Sequence, residues 1–149
     1  MLYVLTTLGV FFLMEGITWC THKYIMHGFG WCLHADHHQP GYSSVFEKND
    51  AFFVVFAVPS MLLFYFGIRP ELNFLFFVGL GILLYGIAYF LVHDVLIHRR
   101  FKWFRNTNSR YLKGLRKAHK IHHKHIGKPD GECFGMLIVP FKYFKKPKV

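Results

Sequence analysis

Cysteine is scarce in this 149-residue chain. Cys20, Cys32 and Cys133 are widely spaced and none sits in a CxxC pair, which excludes a disulfide framework and leaves small half-buried thiols facing a reducing compartment. No lysine or arginine precedes Lys23, and the first apolar run lacks an A-x-A-like cleavage site and carries Glu15. That run therefore reads as an anchor, not a cleaved signal. There is no internal repeat and no low-complexity tract. Acids are few as well: eight Asp and Glu stand against 18 Lys and Arg, for a net charge of +10. Fifteen of those 18 bases lie between Arg99 and Val149, where the only acids are Asp130 and Glu132. The basic stretch follows hydrophobic segments and contains no nucleic-acid-binding module. Membrane topology and attraction to anionic lipid account for it, and no nucleic-acid partner is expected.

Apolar sequence is abundant, and it is gathered into blocks. The chain is 53% hydrophobic and has 18 phenylalanines. Three runs approach the roughly 20 residues needed to cross a bilayer: 2–20, 51–68 and 73–92. The expected fold is an all-α integral membrane bundle of about three spans in a single domain, 1–149. The turn Arg69–Leu72 closes the second and third spans into a hairpin. By the positive-inside rule, 21–50 and 98–149 are cytoplasmic and the N-terminus is outside. In a bacterium this places the protein in the inner membrane. Pro59 should kink or end the second span. Gly79, Gly81 and Gly86 offer a surface for close helix approach. The aromatic and basic tail from Phe134 to Val149 reads as an interfacial segment on the cytoplasmic face.

Ten of the 11 histidines fall into two patterns, each used twice. His22/His27 and His93/His98 are H-x4-H pairs. His34/His37/His38 and His119/His122/His123 are H-x-x-H-H triplets. Positions i, i+3 and i+4 share one helix face, so each triplet aims three imidazoles the same way. An H-x4-H pair is splayed by about 140° on an α-helix. It can reach a common centre only from a helix lying across that centre or from one that loosens at its end. Both pairs begin where a span ends, and both triplets lie in cytoplasmic stretches. All ten histidines thus converge just above one face of the membrane, and a short helical cap there would hold a dinuclear metal site. His125 stands outside the pattern.

Imidazole suits zinc, copper, iron and nickel. Ten histidines exceed the four that a single zinc takes and fit two ions of five or six coordination. None of Glu15, Glu47, Glu71 and Glu132 has a histidine three residues on, so the Glu-x-x-His pairs of soluble di-iron bundles are missing. Three acids are candidates to orient ligands. Asp36 and Asp94 adjoin motif histidines and could accept a second ring N–H, or serve instead in a helix cap or surface salt bridge. Glu15 shares a helix face with His22, about 10 Å away. As an intramembrane acid it needs a partner: a ligand histidine, a basic residue or a water. Tyr85 and Tyr89 precede His93 at helical spacing and fit a packed core or interface better than the lining of an inner cavity.

The ordered motifs HKYIMH (22–27), HADHH (34–38), HDVLIH (93–98) and HKIHH (119–123) resemble the fatty acid hydroxylase superfamily of membrane di-iron enzymes. The linking pieces Phe46–Asp50, Ile97–Arg100 and Asp130–Gly135 resemble its branch of bacterial β-carotene 3-hydroxylases. The resemblance implies two irons held by all ten motif histidines, with zinc able to substitute and O2 as co-substrate. It implies hydroxylation at carbon 3 of both β-ionone rings of β-carotene, through β-cryptoxanthin to zeaxanthin, and a ferredoxin-type electron donor. A lipid or sterol hydroxylase or desaturase would carry the same histidines. A membrane metal-binding or transport protein is the non-enzymatic alternative, but transporters place their ligands near the bilayer midplane.

Overall fold

The computed structural model describes residues 1–39, 46–101, 103, 106–125 and 132–145. Asp130, Gly131 and residues 146–149 lie outside them. Among the described residues every regular element is a helix. Helix α1 (Leu2–Cys20) continues into a π-helical stretch, π1 (Thr21–Phe29). A single turn, α2 (Trp31–His34), and a 3-10 turn at Asp36–His38 follow. A second 3-10 turn (Lys48–Asp50) leads into α3 (Ala51–Gly67). Helix α4 (Phe74–Phe90) runs into a second π-helical stretch, π2 (Leu91–Ile97). Helix α5 (Arg110–His122) and a last 3-10 turn (Phe141–Phe144) complete the cap.

Among the described residues, three helices are long and apolar enough to cross a membrane: Leu2–Phe29, Lys48–Gly67 and Phe74–Ile97. Most of their apolar side chains are exposed, Leu13, Val55, Phe66 and Ile87 among them. A bilayer is the solvent that accepts such a surface, and the chain is a membrane protein. The α3–α4 hairpin makes these two helices antiparallel. Helix α4 packs against both α1 and α3, and small residues set both contacts. A β-carbon at Gly81 would lie 2.7 Å from Cβ of Val10, and one at Gly79 would lie 3.1 Å from Cβ of Leu63. Gly86 differs from expectation, since nothing lies within 4 Å of the place its β-carbon would take. Hydroxyls add interhelical bonds: Thr7 Oγ1 donates to the Phe77 carbonyl (3.2 Å) and Ser60 Oγ to that of Gly79 (3.0 Å). Helix α3 does not end at Pro59. It continues to Gly67, because losing one backbone donor is tolerable where neighbouring helices and side-chain hydroxyls re-satisfy the backbone.

The C-terminal end of α1, the N-terminal end of α3 and the C-terminal end of α4 meet on one side, and the cap is built there. Arg100 ties two of these ends together, reaching Asp94 (2.6 Å) at π2 and Asp50 (2.8 Å) before α3. Arg116 of α5 donates through Nε and Nη2 to the Leu96 carbonyl (3.2 and 2.8 Å), docking α5 on π2. The stretch after Glu132 departs from a segment lying flat on the membrane. Cys133, Phe134 and Met136 are buried, and Tyr143 packs with Ala118 and Cys133. Ile138 and Phe141 stay exposed. The stretch is drawn inward because its backbone N–H groups and carbonyls bond to Glu15 and to motif histidines, described next.

Candidate metal centre

The two H-x4-H pairs are accommodated by a change of helix type. In π1 and π2 the chain closes i→i+5 hydrogen bonds, such as His98 N–H to the His93 carbonyl (2.9 Å) and Gly30 N–H to that of Ile25 (2.9 Å). The wider turn carries residue i+5 back over residue i. The His22 and His27 rings lie 5.1 Å apart and those of His93 and His98 4.5 Å, so each pair now shares a face. The backbone leaves helical geometry at His27 and Gly28, which turns the chain toward the first triplet.

The motif histidines meet in two groups. His22, His27, His34, His38 and His122 each offer a nitrogen within 4.8 Å of the others, and so do His37, His93, His98 and His119. His123 joins the second group at its edge, its Nε2 2.9 Å from that of His119, and stacks on His38 at 4.3 Å. The groups adjoin, with the His37 and His34 rings 5.2 Å apart. Eight of the ten are buried, and His98 and His123 are partly so. His125 is exposed and outside both groups.

Four rings have their tautomer fixed by an oxygen. Nδ1 of His22 lies 3.0 Å from the Phe134 carbonyl, and that of His122 lies 3.1 Å from the Glu132 carbonyl. Nδ1 of His34 lies 2.7 Å from Asn49 Oδ1, and that of His37 lies 2.8 Å from Glu47 Oε2. These oxygens only accept, so each Nδ1 carries the proton and each Nε2 presents a lone pair. The consequence is sharpest at His22 and His34, whose Nε2 atoms lie 3.2 Å apart. Two lone pairs at that distance repel unless a cation lies between the rings. The same reasoning aims Nε2 of His37 at that of His93 (3.0 Å) and Nε2 of His122 at that of His27 (3.1 Å).

Protonation of His34, His37 or His122 does not resolve the conflict. Burial, helped by the neighbouring imidazoles, holds His122 down to about 3 and His38 to about 2. Burial also brings His34 to about 3 against the opposing pull of Asn49, and His123 to about 4. His37, His98 and His119 are lowered too, first by burial and then by their histidine neighbours. Neutral imidazole is the ligating form. Nδ1 of His38 and His119 is buried with no hydrogen-bond partner among the described residues, so these two rings are aimed by Nε2 alone, whereas Nδ1 of His93 faces Asp94 Oδ1 at 3.5 Å. The donor set fits two ions bound by nitrogen.

The three acids singled out from sequence take different places. Asp36 bonds backbone: its oxygens accept from the N–H of His37 (2.9 Å) and of Lys48 (2.7 Å), which folds the first triplet against the turn before α3. Asp94 Oδ1 is 3.5 Å from His93 Nδ1 and is held by Arg100 at 2.6 Å. Glu15 is buried against Tyr85 and the tail backbone, with no histidine or base on it among the described residues. The Tyr89 ring lies 4.9 Å from that of His93. Sequence reasoning assigned no role to Glu47 or Asn49, although both lie in the quoted Phe46–Asp50 piece. Their two-residue spacing on a short turn is the signal available. The Phe134 and Glu132 carbonyls leave no side-chain signal at all.

The family model described as Fatty acid hydroxylase matches residues 7–142. The chain belongs to the fatty acid hydroxylase family. This hydroxylase is 43% identical over 127 residues to the "Beta-carotene hydroxylase" of Pantoea ananas, covering 85% of the chain and 71% of that relative. It is 43% identical over 134 residues to the "Beta-carotene hydroxylase" of Pseudescherichia vulneris, covering 90% and 72%. It is also 43% identical to the "Beta-carotene 3-hydroxylase, chloroplastic" of Haematococcus lacustris, over 72% of the chain and 33% of that relative. No solved structure matches the hydroxylase significantly.

Proposed function

We propose that this hydroxylase inserts oxygen from O2 at carbon 3 of the β-ionone rings of β-carotene, at a di-iron centre held by the ten motif histidines. The observation that carries the metal reading is the facing pair of Nε2 lone pairs on His22 and His34, 3.2 Å apart, with His34 kept neutral by burial. The names of the bacterial relatives support β-carotene, and the algal one supports carbon 3. Two irons bound there would supply O2 activation and the oxidant that an unactivated C–H bond requires. In the overall reaction one oxygen atom enters the ring as hydroxyl and the other leaves as water, with two electrons and two protons drawn from outside.

The chain's own residues supply the rest. The carbonyls of Phe134 and Glu132, Asn49 and Glu47 fix four ring orientations. Buried Phe134 closes the first histidine group against water, its ring 5.5 Å from His22 and 5.0 Å from His122. A carotene dissolves in the bilayer and approaches sideways between exposed apolar helix faces, its ring reaching the cap where the spans end. The charge distribution supports a cap facing the cytoplasm of a bacterial inner membrane. Lys113, Arg116, Lys117 and Lys120 of α5, with Lys124 just beyond it, line one basic surface suited to an acidic ferredoxin-type donor.

Pigment analysis tests the proposal. In a bacterium that accumulates β-carotene, expression under air is expected to produce cryptoxanthin and then zeaxanthin. Unchanged β-carotene, with the iron-loaded protein in the membrane, would redirect the substrate to a lipid or sterol.

A further inference from the structure

Glu15 sits within the first span, yet it is 7% exposed and fully engaged. Its Oε1 accepts from three consecutive backbone N–H groups, those of Met136, Leu137 and Ile138, each at 2.9 Å. Its Oε2 accepts from the Tyr85 hydroxyl at 2.7 Å. Three N–H groups converging on one oxygen form a nest for a carboxylate. Gly135 makes the approach possible: a β-carbon there would lie 2.8 Å from Glu15 Oε1 and 2.9 Å from the Ile138 carbonyl.

The segment so anchored orients two histidines of the first group, His22 and His122. The Phe134 carbonyl, two residues before the nest, accepts from His22 Nδ1, and the Glu132 carbonyl accepts from His122 Nδ1. The Phe134 ring packs on His22, His27 and His122 at 5.5, 5.3 and 5.0 Å. All three belong to the first group. The second group takes its orientation elsewhere, His37 from Glu47 and His93 from its place beside the Asp94–Arg100 pair.

We infer that Glu15 is a positioning residue for one metal site of the two. Its carboxylate clasps the 136–138 backbone, and through Phe134 and Glu132 that clasp holds His22 and His122 on the first ion. The second ion does not depend on it. The inference rests on the two-metal reading above, and it makes loss of the clasp selective, where unfolding would cost both ions.

The test counts metal in detergent-purified full chain after anaerobic equilibration with ferrous iron, without reference to turnover. Wild type is expected to hold two ions per chain. Glu15→Leu strands the three N–H groups, and Gly135→Ala pushes the nest off the carboxylate from the tail side. Each is expected to hold about one ion, giving the spectroscopic signature of an isolated ferrous site in place of a coupled pair. Glu15→Gln, whose amide oxygen can still accept from the nest, is expected to restore the second ion. Should Glu15→Leu fail to fold, Gly135→Ala decides, because it leaves the span untouched. Two ions in both variants, or none in either while both remain inserted and monodisperse, would overturn the inference. Wild type without metal would overturn the two-metal reading, and this inference with it.

Discussion

Alanine in place of His122 is expected to reduce conversion of β-carotene to background, a loss beyond the roughly 100-fold that removal of a ligand's outer partner can cause. His122 is fully buried, offers Nε2 to the first histidine group and anchors Nδ1 on the Glu132 carbonyl. Its loss removes a nitrogen donor and leaves that carbonyl without its donor. His37→Ala makes the same test in the second group and is expected to give the same result. Neither residue lies in a spanning helix, so insertion survives. The check is pigment extraction alongside immunoblots of alkali-washed membranes. Activity near wild type in both variants would remove these residues from the ligand set.

The second large effect is expected at Glu47. Its carboxylate fixes the His37 tautomer from 2.8 Å, and its position is stabilised where its own N–H donates to Asp50 (3.0 Å). Burial raises the Glu47 carboxyl, opposed by the positive charge of Arg100, so the imidazole contact is made in a partly dehydrated setting. Glu47→Ala leaves His37 Nδ1 without its acceptor and the ring free to adopt the wrong tautomer. Metal affinity is expected to fall about 10- to 100-fold, as measured by competition with a graded chelator. The loss should be biphasic, with the ion of the His37 group released first. Unchanged affinity would mean that packing alone holds His37.

Much of this architecture was legible in the sequence because its determinants are local. The spans follow from runs of apolar residues, and the grouping of ten histidines follows from motif spacing at span ends. The H-x4-H spacing left two ways to reach a common centre, a helix lying across it or one that loosens at its end, and π1 and π2 take the second. What escaped were long-range partnerships. Glu15 was flagged as an intramembrane acid, but its partner is backbone more than 120 residues away, and backbone carries no residue-type signal. For the same reason the tail from Phe134 looked like a surface segment, since its amphipathic composition hides the carbonyls it lends to His22 and His122. Glu47 and Asn49 were visible as letters, but nothing local says that a turn at Lys48–Asp50 delivers them to two different histidines.

The most direct test of the central claim is the iron content and Mössbauer spectrum of the purified wild-type chain, reconstituted anaerobically with ferrous iron. Two irons per chain, both in nitrogen-rich high-spin environments and coupled after oxidation, are predicted. A single iron, or none with the protein folded and inserted, would contradict the assignment of the two histidine groups as a dinuclear centre.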